Sequence, residues 1–223
     1  MTQTWRDLLF AHYPVPVQTV RRLVPGRFQI EQYDGTAWLG VVPFAMTDVR
    51  FRALPPIPST TAFHELNVRT YVTVDGKPGV SFFSLDADSP LAVWAARRIG
   101  LPYYRADMSL ERDGIDVVYQ SRRHQIHATF GAVYRPVGPG CLAEPGSVEH
   151  FLTERYCLYA VSRRGRPYRL DIHHPPWLLQ PASADIPRNS VIAAAGFCPG
   201  PVAPLFHFAR RQTMVAWAPH MLD

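Results

Sequence analysis

The stretch Phe63–Met108, FHELNVRTYVTVDGKPGVSFFSLDADSPLAVWAARRIGLPYYRADM, decides how the rest of the chain is read. Val68, Thr70, Val72 and Val74 alternate with Asn67, Arg69, Tyr71 and Thr73, the period-two pattern of a strand with two unlike faces. Asp75-Gly76 breaks that pattern and predicts a hairpin with a short loop, followed by a second strand over Val80 to Leu85. Glu65, Asn67, Arg69 and Tyr71 then project from one face at intervals of roughly 7 Å, two residues of strand rise. Such a row is either a solvated sheet face or the lining of a polar cavity.

Ser89-Pro90 marks a helix start, with serine as N-cap and proline pre-organised for the first helical position. Leu91, Trp94, Ala95 and Ile99 are expected to form its buried stripe. Arg97 and Arg98 suit the negative C-terminal end of the helix, and Gly100 with Pro102 stops it. The helix therefore delivers Tyr103 and Tyr104 to a defined place beside the sheet.

Four segments carry a resemblance. GTAWLGVVPFAMTDVR (35–50), FHELNVRTYV (63–72), GVSFFSLDA (79–87) and FLTERYCLY (151–159) are similar to the YqjF-like family of uncharacterised conserved proteins, over most of the chain. The resemblance implies an acetoacetate decarboxylase-like fold: α+β, mostly antiparallel, barrel- or cone-like, with a few short helices and a ligand cavity inside. Residues 1–223 are then expected to form a single domain. In the decarboxylases the Schiff-base lysine is the first of a lysine pair in a Gly-aromatic-Pro-Lys-Lys run. Here GLPYY (100–104) puts Tyr103 and Tyr104 at those positions. The one lysine of the chain, Lys77, falls in the hairpin turn, without the desolvation or neighbouring cation that an amine nucleophile needs. Schiff-base decarboxylation is not expected.

Composition narrows the function classes. A chain of 223 residues with 47% hydrophobic residues can bury a sizeable core, and 22 prolines and 14 glycines favour many short strands and turns. The net charge is +5, but 22 of the 23 basic residues are arginines spread as pairs such as Arg21-Arg22 and Arg210-Arg211, so nucleic-acid binding is not expected. Three cysteines without CxxC spacing suggest neither a disulfide framework nor a zinc cluster. With no signal architecture and no long apolar run, a soluble, cytoplasmic protein away from membranes is expected. His124 and His127, three apart on a strand, would point to opposite faces, so no metal site is expected. Glycine-rich phosphate loops are missing, and no cofactor is expected.

In chain order, Thr4–His12 reads as a short helix with Trp5, Leu8, Leu9 and His12 on one face, and Val17–Val24 as a second. Strands are expected over Phe28–Tyr33 and Ala37–Val42, with Pro43 interrupting the latter before a polar-apolar run continues through Val49, Arg50 and Phe51. LPPIPSTTAF (54–63) reads as a stiff loop. A second Asp-Gly hairpin is expected around Asp113-Gly114, a short helix at Val148–Thr153, and strands near Tyr156–Val161, Tyr168–Ile172 and Thr213–Trp217. The region from Pro175 to Pro204 has no clear pattern.

Glu65, Arg69 and Tyr103 are the constellation this reading selects. A carboxylate and a guanidinium would bind or polarise a small oxygen-rich molecule, and a phenol would donate a hydrogen bond or, with a lowered pKa, act as a base. Glu65 and Tyr103 are the expected catalytic residues. Arg69, Asn67, Tyr71 and Tyr104 are expected to bind ligand, with Arg155, carried over from the family-like FLTERYCLY, as a second cation. The competing reading is a buried Glu65–Arg69 ion pair that holds strands in register. The ligand expected is a small anionic or carbonyl-bearing molecule, with acid-base chemistry on it as the possible reaction. The alternatives are a non-catalytic ligand-binding or regulatory module and a scaffold acting as a homo-oligomer.

Overall fold

The computed structural model describes residues 1–50, 62–198 and 200–222. In chain order its elements are β1 (Thr2–Val15), α1 (Val17–Arg21), β2 (Gln29–Ile30), β3 (Ala37–Arg50), β4 (Ala62–Val74), β5 (Lys77–Ala87), α2 (Pro90–Arg98), β6 (Tyr103–Asp113) and β7 (Asp116–Arg123). There follow β8 (Thr129–Pro136), β9 (Cys141–Leu142), α3 (Val148–Thr153), β10 (Cys157–Val161), β11 (Pro167–His173), β12 (Leu178–Asn189), α4 (Ser190–Ala194), β13 (Leu205–Ala216) and β14 (His220–Met221). No helix among the described residues is long and apolar enough to cross a membrane.

β4 and β5 form the expected hairpin around Asp75-Gly76, paired from Val74 with Lys77 to Glu65 with Ala87. A bulge between Val68 and Arg69 shifts the register by one residue of β5. β4 also pairs along its length with β3, and β3 with β1. Pairing continues from β5 through β6, β7, β8, β12, β13, β1 and β3 back to β4, so the path closes on itself. A second circuit runs through β10 and β11, which join β5 to β13. The fold is α+β with a mostly antiparallel sheet. β5 pairs parallel with β6 and with β10.

Alternation along β4 divides the interior. Leu66, Val68, Val72 and Val74 enter the main core with Leu9, Leu39 and Val41, while Glu65, Asn67 and Arg69 point to the other side. Because side chains alternate, one strand separates a filled core from a cavity to which β4 contributes polar groups.

Several local expectations are corrected. The residues 4–12 are not a helix but part of β1, a strand at the heart of the sheet, flanked by β3 and β13. Leu8, Leu9, Phe10 and Ala11 are all buried, and a strand covered on both faces shows a continuous apolar run that helical spacing can also fit. A bulge near Asp7, whose φ is 52°, further obscures the alternation. Pro43 does not interrupt its strand; β3 runs through it and on along the expected polar-apolar run to Arg50. It lies opposite the region where the β1 ladder is already broken, so the missing N–H disrupts little. The expected strand over Phe28–Tyr33 shrinks to Gln29–Ile30, and the segment after Pro175 contains the long strand β12. Residues 54–61 of the proline-rich loop lie outside the described residues.

α2 begins as its sequence implies, with the Ser89 hydroxyl accepting from the Ala92 N–H at 3.3 Å. It ends at Gly100, whose φ of +92° and whose closeness to the Val161 carbonyl leave no room for a side chain. Its expected buried stripe is wrong. Leu91 and Trp94 are 41% and 55% exposed, and Val93 is the buried member. Leu91, Ala95 and Ile99 face a cavity instead of a packed layer. With little packing to hold it, the helix depends on its cap: Ser89→Ala should lower stability by about 1 kcal/mol, and Ser89→Asn by much less. Chemical denaturation of the two variants checks this, and equal losses would show that the hydroxyl bond is not what matters.

Candidate functional site

β1, β3, β4, β5, β11, β13 and α2 line a cavity of about 520 Å³. Most of its wall is hydrocarbon and aromatic ring. The ionisable side chains on it among the described residues are Glu65, Arg69, Tyr103, Arg155 and His174.

Glu65 and Tyr103 meet although 38 residues separate them. β5 pairs parallel with β6 so that Leu85 lies beside Tyr103 and Asp86 beside Tyr104, and Glu65 lies opposite Ala87 on the other edge of β5. The Tyr103 hydroxyl donates to Glu65 Oε2 at 2.6 Å. Glu65 is 4% exposed. Burial pushes its carboxyl up to about 7, only partly offset by the hydrogen bonds from Tyr103 and Asn67. Burial, together with the Glu65 carboxylate, pushes the Tyr103 phenol well above its ordinary value. Tyr103 is therefore a donor here and not a base, which corrects one of the two roles expected of it. Tyr119 donates to the Glu65 carbonyl at 2.8 Å and anchors the strand at this point.

Arg69 shares the cavity wall with Glu65, yet the two form no ion pair. Arg69 Nη2 donates to the Leu152 carbonyl at 3.4 Å, and its Nε is buried without a partner. No carboxylate lies within ion-pair distance of it among the described residues, so the structural Glu65–Arg69 pair is ruled out as the role of these residues. The rings of Phe10 and Tyr71 lie 5.4 and 5.8 Å from its guanidinium and provide weak compensation. Gly40 makes this approach possible: a Cβ there would lie 3.2 Å from Arg69 Cγ and 3.3 Å from the Tyr71 hydroxyl.

Arg155, at the end of α3, also lines the cavity, but it is paired. Glu31 Oε2 lies 2.7 Å from its Nη1, and its Nε donates to the Phe151 carbonyl at 2.8 Å. Sequence reasoning did not single out Glu31, because nothing local connects residue 31 to residue 155.

Two residues expected at the site stand beside it. Tyr71 is buried behind Arg69, among Trp38, Val80 and Leu152, and does not line the cavity. Tyr104 points away from it, under the Arg123 guanidinium at 4.0 Å. Arg123 in turn binds Asp86 at 2.7 Å, and both side chains are almost fully buried. Lys77, in the hairpin turn, pairs with Asp171 at 2.7 Å and is not on the cavity wall.

Other contributors were missed altogether. Trp5, Phe10, Phe44 and Trp177 form an aromatic cluster on the wall, with Phe10 edge-on to Trp177 at 5.0 Å and Trp5 stacked on Trp177 at 5.7 Å. Apolar residues carry no distinguishing signal, and two of these sat in the segment read as a helix. His12 is wholly buried near Arg69 and Tyr71, with neither ring nitrogen bonded. Burial, and then the Arg69 and His207 charges, hold it well below its ordinary value, so it is neutral.

This closed sheet around a cavity is the fold of the acetoacetate decarboxylase-like enzymes. Over its whole length the chain superposes on the enduracididine biosynthesis enzyme MppR with HEPES buffer bound, covering 87% of that chain at a TM-score of 0.72 and 12% identity. An acetoacetate decarboxylase-like enzyme from Sphingomonas wittichii RW1 matches at a TM-score of 0.68, 12% identity and 92% of its chain. MppR complexed with pyruvate matches at 0.70, with 11% identity and 90% of its chain. The sequence is nearer to another protein: it is 48% identical over 219 residues to the uncharacterized protein YqjF of Bacillus subtilis (strain 168), covering 97% of this chain and 90% of the other. The model of the DUF2071 family, described as uncharacterized conserved proteins, matches residues 2–213, and the chain belongs to that family.

Proposed function

We propose that this protein binds a small carboxylate or carbonyl compound in the central cavity and carries out acid-base chemistry on it without a Schiff-base lysine. The observation that carries the reading is the Glu65 carboxyl, buried in a largely apolar cavity, bonded to Tyr103 and titrating near 7. A group with a pKa near the working pH exists in both protonation states and can take or return a proton at modest cost. Tyr103 orients it. Asn67 adds a second polar contact, and Arg69, which no carboxylate among the described residues answers, would hold a carboxylate or polarise a carbonyl oxygen. The solved neighbours of the same fold include an enzyme complexed with pyruvate, which supports a ligand of this kind.

Chemistry follows from these parts. With a carbonyl oxygen on the guanidinium side, a proton on the adjacent carbon is acidified, and ionised Glu65 accepts it. The negative charge that develops on oxygen is met by Arg69. Return of a proton from Glu65 to carbon completes an exchange or an isomerisation in which nothing else is consumed.

Two measurements test the reading. Small carboxylates and ketones at saturating concentration should raise Tm by several degrees, about 2–4 °C per kcal/mol of binding for a chain of this size, and Arg69→Met should lose the rise. In D2O the protein should catalyse exchange of hydrogens next to the carbonyl, followed by proton NMR, and Glu65→Gln should abolish it. A Tm shift without any exchange would favour the non-catalytic binding module. Equal shifts in wild type and Arg69→Met would remove the anion site.

A further inference from the structure

The charge on the cavity wall specifies more than an anion. Of its two guanidiniums, Arg155 is already answered by Glu31 at 2.7 Å. Arg69 has no carboxylate partner among the described residues and keeps an unbonded Nε. Glu65 is partly protonated near neutrality and is occupied with Tyr103. One guanidinium among the described residues is therefore left for a ligand. A second carboxylate on the same ligand would find no unanswered guanidinium among the described residues, and burying it unpaired would be costly.

Size and surface point the same way. A volume of about 520 Å³ lies within the range of roughly 300–1,000 Å³ typical of sites for drug-sized molecules. A two- or three-carbon acid would leave most of it unfilled against apolar walls. The aromatic group of Trp5, Phe10, Phe44 and Trp177 offers one apolar surface. α2 offers another, where Ala92 and Ala96, one turn apart, keep the wall low between Leu91 and Ile99. Those two alanines leave room at a place where the helix could otherwise have closed the space with longer side chains.

We propose that the ligand is an amphipathic monocarboxylic acid, with or without a neighbouring carbonyl, whose carboxylate sits on Arg69 and whose apolar body lies against the aromatic wall and under α2. This rests on the carboxylate-binding reading above and adds to it the apolar body and the single charge. It separates this cavity from one built for short, multiply charged acids.

Isothermal titration of the full chain with acetate, butyrate, hexanoate and octanoate, each below its micellar concentration, tests it. Affinity should rise about fourfold per methylene, the effect of burying about 0.8 kcal/mol each, up to the length that fills the cavity. Suberate, with eight carbons and a second carboxylate, should bind at least tenfold more weakly than octanoate, and 1-octanol should also bind more weakly. Arg69→Met should reduce octanoate to the level of octanol. Ala96→Phe should flatten the dependence on length; if that variant fails to fold, Ala92→Leu should show the same trend in smaller measure. Affinity that depends on Arg69 but not on chain length overturns the apolar body and leaves the carboxylate site standing. Suberate binding as tightly as octanoate overturns the single charge. Octanoate binding that is indifferent to Arg69→Met overturns the carboxylate site itself.

Discussion

Arg123→Met is expected to cost about 3–5 kcal/mol of folding stability, because it strands the Asp86 carboxylate in the interior. The two side chains are 1–2% exposed, with Asp86 Oδ1 at 2.7 Å from Nη2 and 2.9 Å from Nε of Arg123. Burial pushes the Asp86 carboxyl up, and the Arg123 charge and hydrogen bond pull it back down. Removing the arginine leaves burial unopposed, so the carboxyl rises further and the loss is greater at pH 7 than under acid conditions that protonate it. Asp86→Leu combined with Arg123→Met should recover most of the stability, since a well-packed apolar pair of similar volume replaces a buried ion pair at little net cost. Urea denaturation of the single and double variants at two pH values measures this. A single variant within about 1 kcal/mol of wild type, or a double variant no better than the single, would show that the pair is not responsible. The pair also matters for the site. Asp86 lies beside Tyr104 where β5 and β6 run parallel, and Arg123 covers Tyr104 from β7. It clamps the junction that places the Tyr103 hydroxyl on Glu65.

Glu65→Gln should stabilise the protein at alkaline pH by up to about 3 kcal/mol, while leaving it near wild type at pH 4. The folded-state pKa of about 7 lies above the ordinary value of 4.5. Folding therefore favours the protonated carboxyl. The stability associated with it is fully present below pH 4.5 and is lost as pH rises to about 7, above which the ionised group is a constant penalty. Glutamine is always neutral, and its oxygen can still accept from Tyr103. The difference between wild-type and variant stability should thus open between pH 4.5 and 7 and then level off. His12, His174 and His207, which burial holds low, titrate in both proteins and cancel in the difference. Parallel curves would show that Glu65 is not a perturbed acid and would remove the basis for acid-base chemistry. A gain in stability accompanied by loss of hydrogen exchange from substrate would be the usual trade of a strained functional group.

The sequence by itself determined the features whose causes are local. The alternation of Glu65, Asn67 and Arg69 against Val68, Val72 and Val74 sorted the two faces of β4, because a strand's side chains have no choice but to alternate. Asp75-Gly76 set the hairpin, Ser89-Pro90 opened α2, and Gly100 closed it, each through a backbone preference confined to a few residues. The resemblance then supplied the family and with it the fold. Tertiary structure alone decided the rest. Strand β1 was hidden because burial on both faces erases the periodic signal that distinguishes strand from helix. The stripe of α2 was misjudged because an apolar face looks alike whether it meets a packed core or an unfilled cavity. Which charge answers which could not be read at all. Glu65 found Tyr103, Arg155 found Glu31, and Arg69 was left without a carboxylate among the described residues, since ion pairing depends on distances between strands that share no local sequence. The pKa of Glu65 follows from that same arrangement, as burial and neighbours set it and residue type does not.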